Sequence, residues 1–513
     1  MTAVQKIDSN ATGLRYSREL TIGDADGSAI WYPLEPNSYN DFGGQYALVA
    51  RNPINAGRQR KKGVIVDLDA AGGFESDLLQ SGLQDMLQGF FFADFRRKGE
   101  QLVTAVDVDG ANPDEYEVTS TAGFLAGSLI YATGFTTADN NGLNLVTAIV
   151  ADTSVEVADG NLTAEAGPPA AAKITVVGYQ GAAGDIDVVN AGAPALPGLT
   201  STTLDFTTLG IIPGEWIYIG GDTAGTSFDT AANNGWARVY SVAANLLTFD
   251  KTQNTMVTED NAGDTIRIWF GRILKNEVDQ TLQVRRTFQL ERTLGASDDA
   301  APSQIQSEYL VGAVPNMAEF QFSTADKALC TLDFVATDHE QRTGATGVKA
   351  GTRPAIVAED AYNTSNDFVM LKMHILDRTA GANPAALFAF LSEVTFSINN
   401  NVSPNKAISV LGAFDMTAGQ FIVEGSASAY FSNVTAVQAV RNNSDVTMHG
   451  VLVKDNKGLF FDIPLIALGD GRLNIEQDAP VMLDLEMPAA ADEVFDHTFM
   501  MGFFDYLPTA ASA

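Results

Sequence analysis

The chain has 513 residues, of which 45% are hydrophobic and 18% charged, and its formal net charge at pH 7 is −32. The length predicts about two to four domains, and the abundance of Gly, Ala, Thr, Asn and Asp is typical of turn-rich β-structure. Because nucleic-acid sites need a basic stripe, the acidity disfavours tight binding of DNA, RNA or anionic membranes, but it allows a surface past which DNA slides.

The cysteine content and the N-terminus indicate the compartment. The single cysteine, Cys330, cannot form an internal disulfide, and its place on the apolar side of an alternating run indicates a core residue. The N-terminus lacks the apolar segment of a signal peptide, and no apolar run reaches the roughly 20 residues that span a bilayer. We therefore expect folding in a reducing cytoplasm and no membrane contact.

The first 101 residues predict an extended, loop-rich start followed by one helix. The segment 36–63 is rich in Asn and Gly, and we expect an irregular loop there. In so acidic a chain, its basic cluster indicates contact with an acidic partner surface, with another copy of the chain as a candidate; a solvated loop and DNA contact are the alternatives. After Gly72 and Gly73, apolar spacings of three and four predict an amphipathic helix over about 75–89, packed on the dry face of a sheet and closed near its end by Gly89. The basic cluster comprises Arg51, Arg58, Arg60, Lys61 and Lys62.

The acidic middle of the chain contains an internal duplication. Gly123 and Gly127 precede Asn140-Asn-Gly142 in the first copy, as Gly210 and Gly214 precede Asn233-Asn-Gly235 in the second. The repeat predicts two small β-domains, 102–185 and 186–271, with the Asn-Asn-Gly pieces in left-handed turns. The acidity of these domains indicates solvent exposure; they are either modules without a ligand or modules that bind glycans or a surface.

Strict alternation marks the stretch 281–294 as a long strand. Its apolar side is interrupted by Arg286 and Arg292, which need carboxylate partners at a subunit seam or a core edge. The runs 318–322 and 328–336 alternate in the same way. Long strands with an unbroken polar face predict a sheet that lines a wet space. The polar side chains of the first strand are Thr281, Gln283, Arg285, Thr287, Gln289 and Glu291.

The C-terminal region continues with short strands and ends in an acidic tail. No Lys or Arg follows Arg472, whereas Asp and Glu accumulate there. This tail and the basic cluster near the other end of the chain are possible halves of a head-to-tail contact.

The sequence carries no recognisable catalytic, cofactor or metal constellation. The four histidines lie far apart without zinc-ligand spacing, and no nucleophile elbow, P-loop or dinucleotide fingerprint occurs. Glycosidase acids could hide among the many carboxylate pairs, but the composition explains these pairs without a site. We expect no enzymatic activity and no cofactor. The histidines are His339, His374, His449 and His497.

Three stretches together resemble the tail tube proteins, also called major tail proteins, of long-tailed bacteriophages. They lie at 51–74, 288–317 and 396–431, and the resemblance rests on their order and spacing. The duplicated module looks like an insertion that some members carry. The strings include Asp67-Leu-Asp-Ala-Ala-Gly-Gly-Phe74, Phe288-Gln-Leu-Glu-Arg-Thr293 and Phe396-Ser-Ile-Asn-Asn-Asn401.

The resemblance implies an all-β fold: a β-sandwich tube-forming domain from 1–101 and 272–513, with one packed α-helix, plus the two inserted β-barrel-like domains. It implies a non-enzymatic virion protein whose hexameric rings stack into a siphovirus tail tube, the conduit for genome ejection. The polar side of 281–291 would face the lumen, and the loop 36–63 would bridge rings.

The implied partners are further copies, the tape measure, tail terminator and tail-tip proteins, and passing genomic DNA without specific binding. The protein would be assembled in the host cytoplasm and reside in the virion tail. Two other functions stay open: an adhesion protein that binds glycans through the duplicated repeat, and a polysaccharide-degrading β-enzyme.

Overall fold

The computed structural model describes residues 7, 12–25, 28–54, 56–108, 113–193, 195–261, 263–295, 305–378, 382–388 and 390–512. Within these ranges antiparallel strands dominate and the α-helices are short, which confirms the predicted all-β class. The chain divides into two compact units. Unit 1 comprises 1–94, 279–364 and 392–428, and unit 2 comprises 95–278, 365–391 and 429–513. Both predicted repeats lie in unit 2, together with segments from the C-terminal half of the chain.

The elements follow in three blocks. The first contains β1 (Gly13–Thr21), β2 (Asp24–Ala25), β3 (Tyr32–Leu34), β4 (Pro36–Arg51), β5 (Lys61–Asp77) and α1 (Gln84–Phe91). The second contains β6 (Glu100–Asp107), β7 (Glu115–Val118), β8 (Ser128–Thr133), β9 (Gly142–Val150), β10 (Ser154–Val157), β11 (Lys173–Gln180), β12 (Asp187–Val189), β13 (Gly198–Thr200), β14 (Trp216–Ile219), β15 (Gly235–Ala243), β16 (Leu246–Thr252), β17 (Arg267–Trp269) and β18 (Arg272–Lys275).

The third block contains β19 (Phe288–Gly295), β20 (Gln306–Ser323), β21 (Leu329–Ala336), β22 (Asp338–Thr343), β23 (Phe368–Ile375), β24 (Leu391–Asn399), β25 (Ser403–Lys406), β26 (Ala413–Thr417), β27 (Ile422–Tyr430), α2 (Thr435–Arg441), β28 (Asp445–Lys454), β29 (Lys457–Ala467), β30 (Gly469–Asn474), β31 (Met482–Glu486), β32 (Ala489–Ala490) and β33 (Met500–Phe504). Short 3₁₀ helices lie at Ala138–Asn140, Phe206–Leu209, Ala224–Thr226, Ala231–Asn233, Gln280–Leu282, Gly344–Thr346 and Thr509–Ser512.

Unit 1 is organised around the long strand β20. Its first half pairs with β19 and β22, and its second half pairs with β21 and β24. The ladder continues from β21 to β5 and from β5 to β4. Cross-strand pairing aligns Phe320 with Cys330 and Phe396, and all three side chains are buried. The alternation in these runs therefore buries one face of the sheet, with Cys330 in the core.

Helix α1 covers this apolar face, but it is shorter than predicted. The prediction of helix from about residue 75 is wrong, because 75–77 continue β5, where Ser76 pairs with Cys330. The Phe90 ring packs edge-on against Phe334, with centroids 5.2 Å apart. Gly89 does not close the helix: a Cβ there would lie 2.8 Å from Phe288 and from Pro315, so glycine allows this close approach.

The duplicated segments of unit 2 form two copies of one ladder. In the first copy the pairing runs β6-β7-β10-β9-β8-β11 and returns to β6, so six strands close on themselves. The second copy repeats the order as β12-β13-β16-β15-β14-β17. Strands β11 and β17 join the two copies, and apolar side chains from both form one buried cluster.

Each copy is held by an asparagine–glutamate latch. The buried Asn140 side chain donates to Glu165 at 2.9 Å, and Asn233 donates to Glu259 at 2.5 Å. Each asparagine also accepts a backbone N–H from a neighbouring loop, at 2.9 and 2.8 Å. Left-handed φ values occur at the following glycines, 120° and 130°, and not at these asparagines. The predicted left-handed turn therefore belongs to glycine alone, and asparagine acts through its amide.

A second antiparallel sheet of unit 2 has six strands. Its strands are ordered β18-β33-β29-β28-β23, with β32 on β29. Trp216 and Trp236 of the second copy belong to one apolar cluster with Val451, Phe460 and Phe504 of this sheet. The repeats are therefore packed into the core of unit 2 rather than attached by linkers alone.

Candidate assembly surfaces

The segment predicted as a loop is a long β-hairpin. Strands β4 and β5 pair from Pro36 opposite Ser76 out to Arg51 opposite Lys61, and 52–60 connect them. The prediction of an irregular loop over 36–63 is wrong, because the ladder satisfies the backbone groups of both arms. The Asn and Gly content of the segment indicated a loop, although the segment forms strands. The outer half of these strands does not pack against a core.

The outer half of this hairpin exposes apolar side chains on both of its faces. Successive residues point to opposite sides of a strand, so a pair with one covered face buries every second side chain. Here consecutive residues are exposed, which leaves two apolar faces and the strand edges without cover in the described chain. The exposed residues are Tyr46, Leu48, Val49, Val64, Ile65 and Val66.

The basic cluster lies at the tip and outer arms of the hairpin. Arg51, Arg58, Arg60, Lys61 and Lys62 are all exposed. None of the five has an ion-pair partner among the residues that the structure describes. In a chain with 63 carboxylates and 31 Lys and Arg residues, this group of exposed cations is a candidate contact for an acidic surface of another subunit.

The predicted lumen strand 281–294 is a strand only from Phe288 onward. Residues 280–282 form a 3₁₀ turn, in which the Thr281 N–H donates to the Asp279 carboxylate, and the Val284 N–H donates to the Phe92 carbonyl. The Arg286 side chain is buried and donates to the Ala93 carbonyl at 2.9 Å and to Asp94. Burial lowers its pKa to about 10. The prediction of one fourteen-residue strand is therefore wrong.

The predicted polar side of that strand divides into two parts. Thr281, Gln283 and Arg285 are exposed, and Arg285 pairs with Asp415 at 2.9 Å. By contrast, Thr287, Gln289 and Glu291 are buried, with 9%, 2% and 0% of their surfaces exposed.

A neighbouring segment accounts for this burial. Arg353 donates to Glu291 at 2.6 Å, and Lys349 donates to Gln289 at 2.8 Å. Burial, followed by the hydrogen bond to Glu291, raises the pKa of Tyr309 to about 12. Gln289 and Glu291 therefore cannot line a water-filled bore, because segment 349–353 covers them. Arg292, whose partner the sequence left open, pairs with Glu308 and lies 4.4 Å over the Phe42 ring.

A different face of unit 1 is polar, half-exposed and anionic. Register places Glu75, Thr331, Glu319 and Ser397 in one row across β5, β21, β20 and β24. The adjacent rows add Asp77, Asp333, Gln321, Thr395 and Glu393. Lys327 pairs with Asp77 at 2.6 Å at the border of this face. Burial, followed by nearby Asp41, raises the pKa of Asp333.

The sequence contained the signal for this face. In each of the runs 318–322, 330–334 and 393–398, polar residues alternate with buried apolar ones. We name this surface the acidic sheet face, and it consists of the rows just given.

The deepest charged cluster lies in unit 2 and has no access to solvent. Arg238 donates to Asp250 at 2.7 Å, to Asp462 at 3.0 Å and to Thr447 at 2.9 Å. Trp216 also donates to Asp462, at 3.0 Å. Burial alone would raise the pKa of Asp250, but the Arg238 guanidinium outweighs it and holds that pKa below its usual value. The cluster is a buried ion network whose charged side chains Arg238, Asp250 and Asp462 are 0% exposed.

Three of the four histidines, far apart in sequence, approach this network. The rings of His374 and His449 stack with centroids 5.3 Å apart, and His497 Nε2 lies 3.9 Å from Asp462. Burial lowers the pKa of His374 to about 4 and that of His449 well below its usual value. In the described part of the chain, the ligand atoms of Asp107, Glu115 and Glu117 lie within 4.8 Å of one another; these carboxylates are at the surface and nothing else marks them as a metal site.

These features define an all-β protein whose candidate functional sites are two exposed surfaces, the outer half of the hairpin and the acidic sheet face. No helix in the described residues is long and apolar enough to cross a membrane. Residues 9–489 match the family model of the phage tail tube protein, and the chain belongs to that family. It is thus a structural component of a bacteriophage tail. A search of the curated proteins finds no match to the chain.

Proposed function

We propose that copies of this chain form hexameric rings that stack into a hollow tube, the conduit for genome ejection of a siphovirus tail. The observation that carries this proposal is the hairpin β4–β5, whose tip is cationic and whose outer arms are apolar on both faces. In a lone subunit, about half of the surface of each exposed apolar side chain of the hairpin would be in contact with water. This exposure opposes solubility and favours pairing between copies. The hairpin is our candidate for the contact between rings.

The bore is assigned to the acidic sheet face in place of the strand 281–291. Carboxylates repel phosphates, and neutral polar groups bind them weakly, so DNA moves past this face without being held. Strands shared between copies would also remove the free edges of the sheet. Thr281, Gln283 and Arg285 remain accessible and are kept as candidates for the rim of the bore.

A tube of finite length also needs proteins that set its length and close its ends. A tape measure protein would occupy the bore during assembly in the host cytoplasm, and terminator and tip proteins would close the two ends. Apolar side chains of the duplicated modules share buried clusters with one another and with the adjacent sheet, so the modules are proposed as structural parts of unit 2.

Electron microscopy of matched variants tests the hairpin contact. Purified wild-type chain is expected to form rings or tubes, in which counting subunits tests the number six. Arg58→Ser/Arg60→Ser is expected to yield folded subunits with few stacked rings. The matched control, Arg441→Ser/Arg472→Ser, removes two exposed arginines outside the hairpin and is expected to assemble normally. Undiminished stacking of the hairpin variant, or isolated wild-type monomers, would contradict the proposal.

Retention of DNA tests the bore. Glu319→Lys places a cation on the acidic sheet face, and the tubes are expected to hold duplex DNA fragments at low salt and release them at high salt. Glu476→Lys, at an exposed position of unit 2, makes the same charge change and is expected to retain no more DNA than wild type. Equal retention by the two variants would show that the acidic sheet face does not line the bore.

A further inference from the structure

We infer that the hairpin tip of one copy inserts into a specific groove of unit 1 in the next copy, with Ile54 as its apolar anchor. This inference rests on the proposed self-assembly and names the receptor for the hairpin. The receptor groove is the cavity of about 390 Å³ between β3, the turn before α1 and segment 354–359.

The groove is lined mainly by apolar side chains, together with two carboxylates. Tyr16, Leu34, Leu79, Leu83, Ile356 and Val357 form part of the lining. Ile356 and Val357 are 51% and 78% exposed, although they flank a concave surface. An exposed apolar concavity of this kind marks an interaction site more often than a solvated surface.

Two carboxylates line the same groove. Glu35 is exposed, and Glu359 accepts hydrogen bonds from the Ser81 N–H at 2.9 Å and its hydroxyl at 2.8 Å. These bonds fix the Glu359 carboxylate in place before any partner arrives. The groove therefore offers an apolar floor with negative charges already positioned beside it.

The hairpin tip has the complementary pattern. Ile54 is fully exposed, at 106% of its reference surface, in the connection between β4 and β5. The unpaired cations Arg51, Arg58 and Arg60 lie on either side of it in sequence. Because Ile54 is fully exposed and the groove is open within one subunit, the tip does not occupy the groove of its own chain. The contact therefore forms between the tip of one copy and the groove of the next.

Site-directed cross-linking tests this assignment on full-length protein. Ile54→Cys chains are mixed with Val357→Cys chains, assembled and oxidised, and disulfide-linked peptides are identified by mass spectrometry. Native Cys330 is buried and its pKa is raised by burial, so it does not compete. We expect a peptide joining positions 54 and 357 of different chains as the dominant product.

Two control mixtures use equally exposed positions elsewhere. Ile408→Cys is at a 98% exposed residue of unit 1, and Ile475→Cys is at a 73% exposed residue in the acidic C-terminal region. Cross-linking of position 54 to either control as strongly as to 357 overturns the groove. A dominant product with 475 would assign the acidic tail as the receptor instead.

The outcomes separate this inference from the proposed function. Tubes that form but give no 54–357 product overturn the groove and leave self-assembly standing. Wild-type chains that do not assemble at all overturn both. As a second readout, Arg58→Glu/Arg60→Glu chains are expected to lose stacking and to regain it when Glu35→Arg/Glu359→Arg is added; failure of this rescue also counts against the groove.

Discussion

The two copies of the duplicated module share one fold but bury different chemistry. Both keep the strand order and the asparagine–glutamate latch. At three equivalent positions, however, the second copy has larger or charged side chains. These are Trp216, Trp236 and Arg238, against Leu129, Leu143 and Leu145 in the first copy. The strand pairing supports this equivalence, because Trp216 is opposite Arg238 in the second copy and Leu129 is opposite Leu145 in the first.

This difference shows that the repeated pattern and the anchoring of each copy are separate properties. The turns and the latch are common to both copies and maintain the shared fold. The side chains on the outward side of two strands, β8 and β9 or β14 and β15, determine how each copy packs against the rest of unit 2. In the second copy that side reaches Asp462 of β29 through Arg238 and Trp216. In the first copy the equivalent leucines contribute apolar contact only. The following predictions test this contrast, from the largest expected effect to the smallest.

Removing the guanidinium of the second copy is expected to give the largest effect. Arg238→Met would leave Asp462 buried without the guanidinium and Asp250 with only the longer pairs to Lys251 and Arg378, which costs about 3–5 kcal/mol of unfolding free energy. The control is Lys173→Met in the first copy, whose partner Glu100 is partly exposed, and it is expected to cost less than about 1 kcal/mol. Chemical unfolding curves measure both. Equal losses would remove the distinction between the copies.

Acid is expected to weaken unit 2 through His374, which lies near the second copy's network. Its folded pKa is lowered to about 4, by burial first and then by cations including Lys251, whereas an unfolded histidine titrates near 6.5. Below pH ~6.5 the unfolded chain binds a proton that the native chain excludes, so stability falls until pH ~4, by up to about 3 kcal/mol. Above pH ~6.5 both states are neutral and this group has no effect.

Comparison with His374→Gln isolates that contribution from the titration of the many carboxylates. The variant is expected to show a smaller loss of unfolding free energy between pH 7 and pH 4.5 than wild type. Parallel losses in the two proteins would mean that His374 is not the titrating group.

The latch is expected to give smaller and equal effects in the two copies. Asn140→Ala and Asn233→Ala each remove the amide hydrogen bond to the glutamate and the acceptor of one loop N–H, at a cost of about 1–3 kcal/mol. Thermal unfolding of the two variants compares them directly. A loss confined to one copy would show that the shared hydrogen bonds are not equivalent in strength.

Much of the fold follows from local patterns in the sequence. Polar and apolar residues alternate in the runs 318–322 and 330–334, and the structure places the apolar ones on one buried face. The duplication, with paired glycines and Asn-Asn-Gly, yields two equivalent ladders. The family resemblance also rests on strings outside the duplicated region, and the family match extends from residue 9 to residue 489.

The candidate sites were less predictable, because they depend on what lies opposite a residue. The basic cluster was recognised from composition, but the strand pairing that carries it was not, since Asn and Gly are common in loops. The alternation in 281–294 predicted one wet face, yet Asp279 caps a turn at its start and Arg286 turns inward to Ala93 and Asp94.

By itself, the sequence determined the class of structure, the repeated module and the family, because period-2 alternation and repeated turn residues are local properties of the chain. Only the tertiary structure decided which polar faces meet water. Alternation places residues two apart on the same side of a strand, but it does not state whether another layer covers that side. Segment 349–353 covers Gln289 and Glu291, while no described segment fully covers Glu319 and Thr331. For this reason the proposed bore surface is the acidic sheet face and not the strand 281–291.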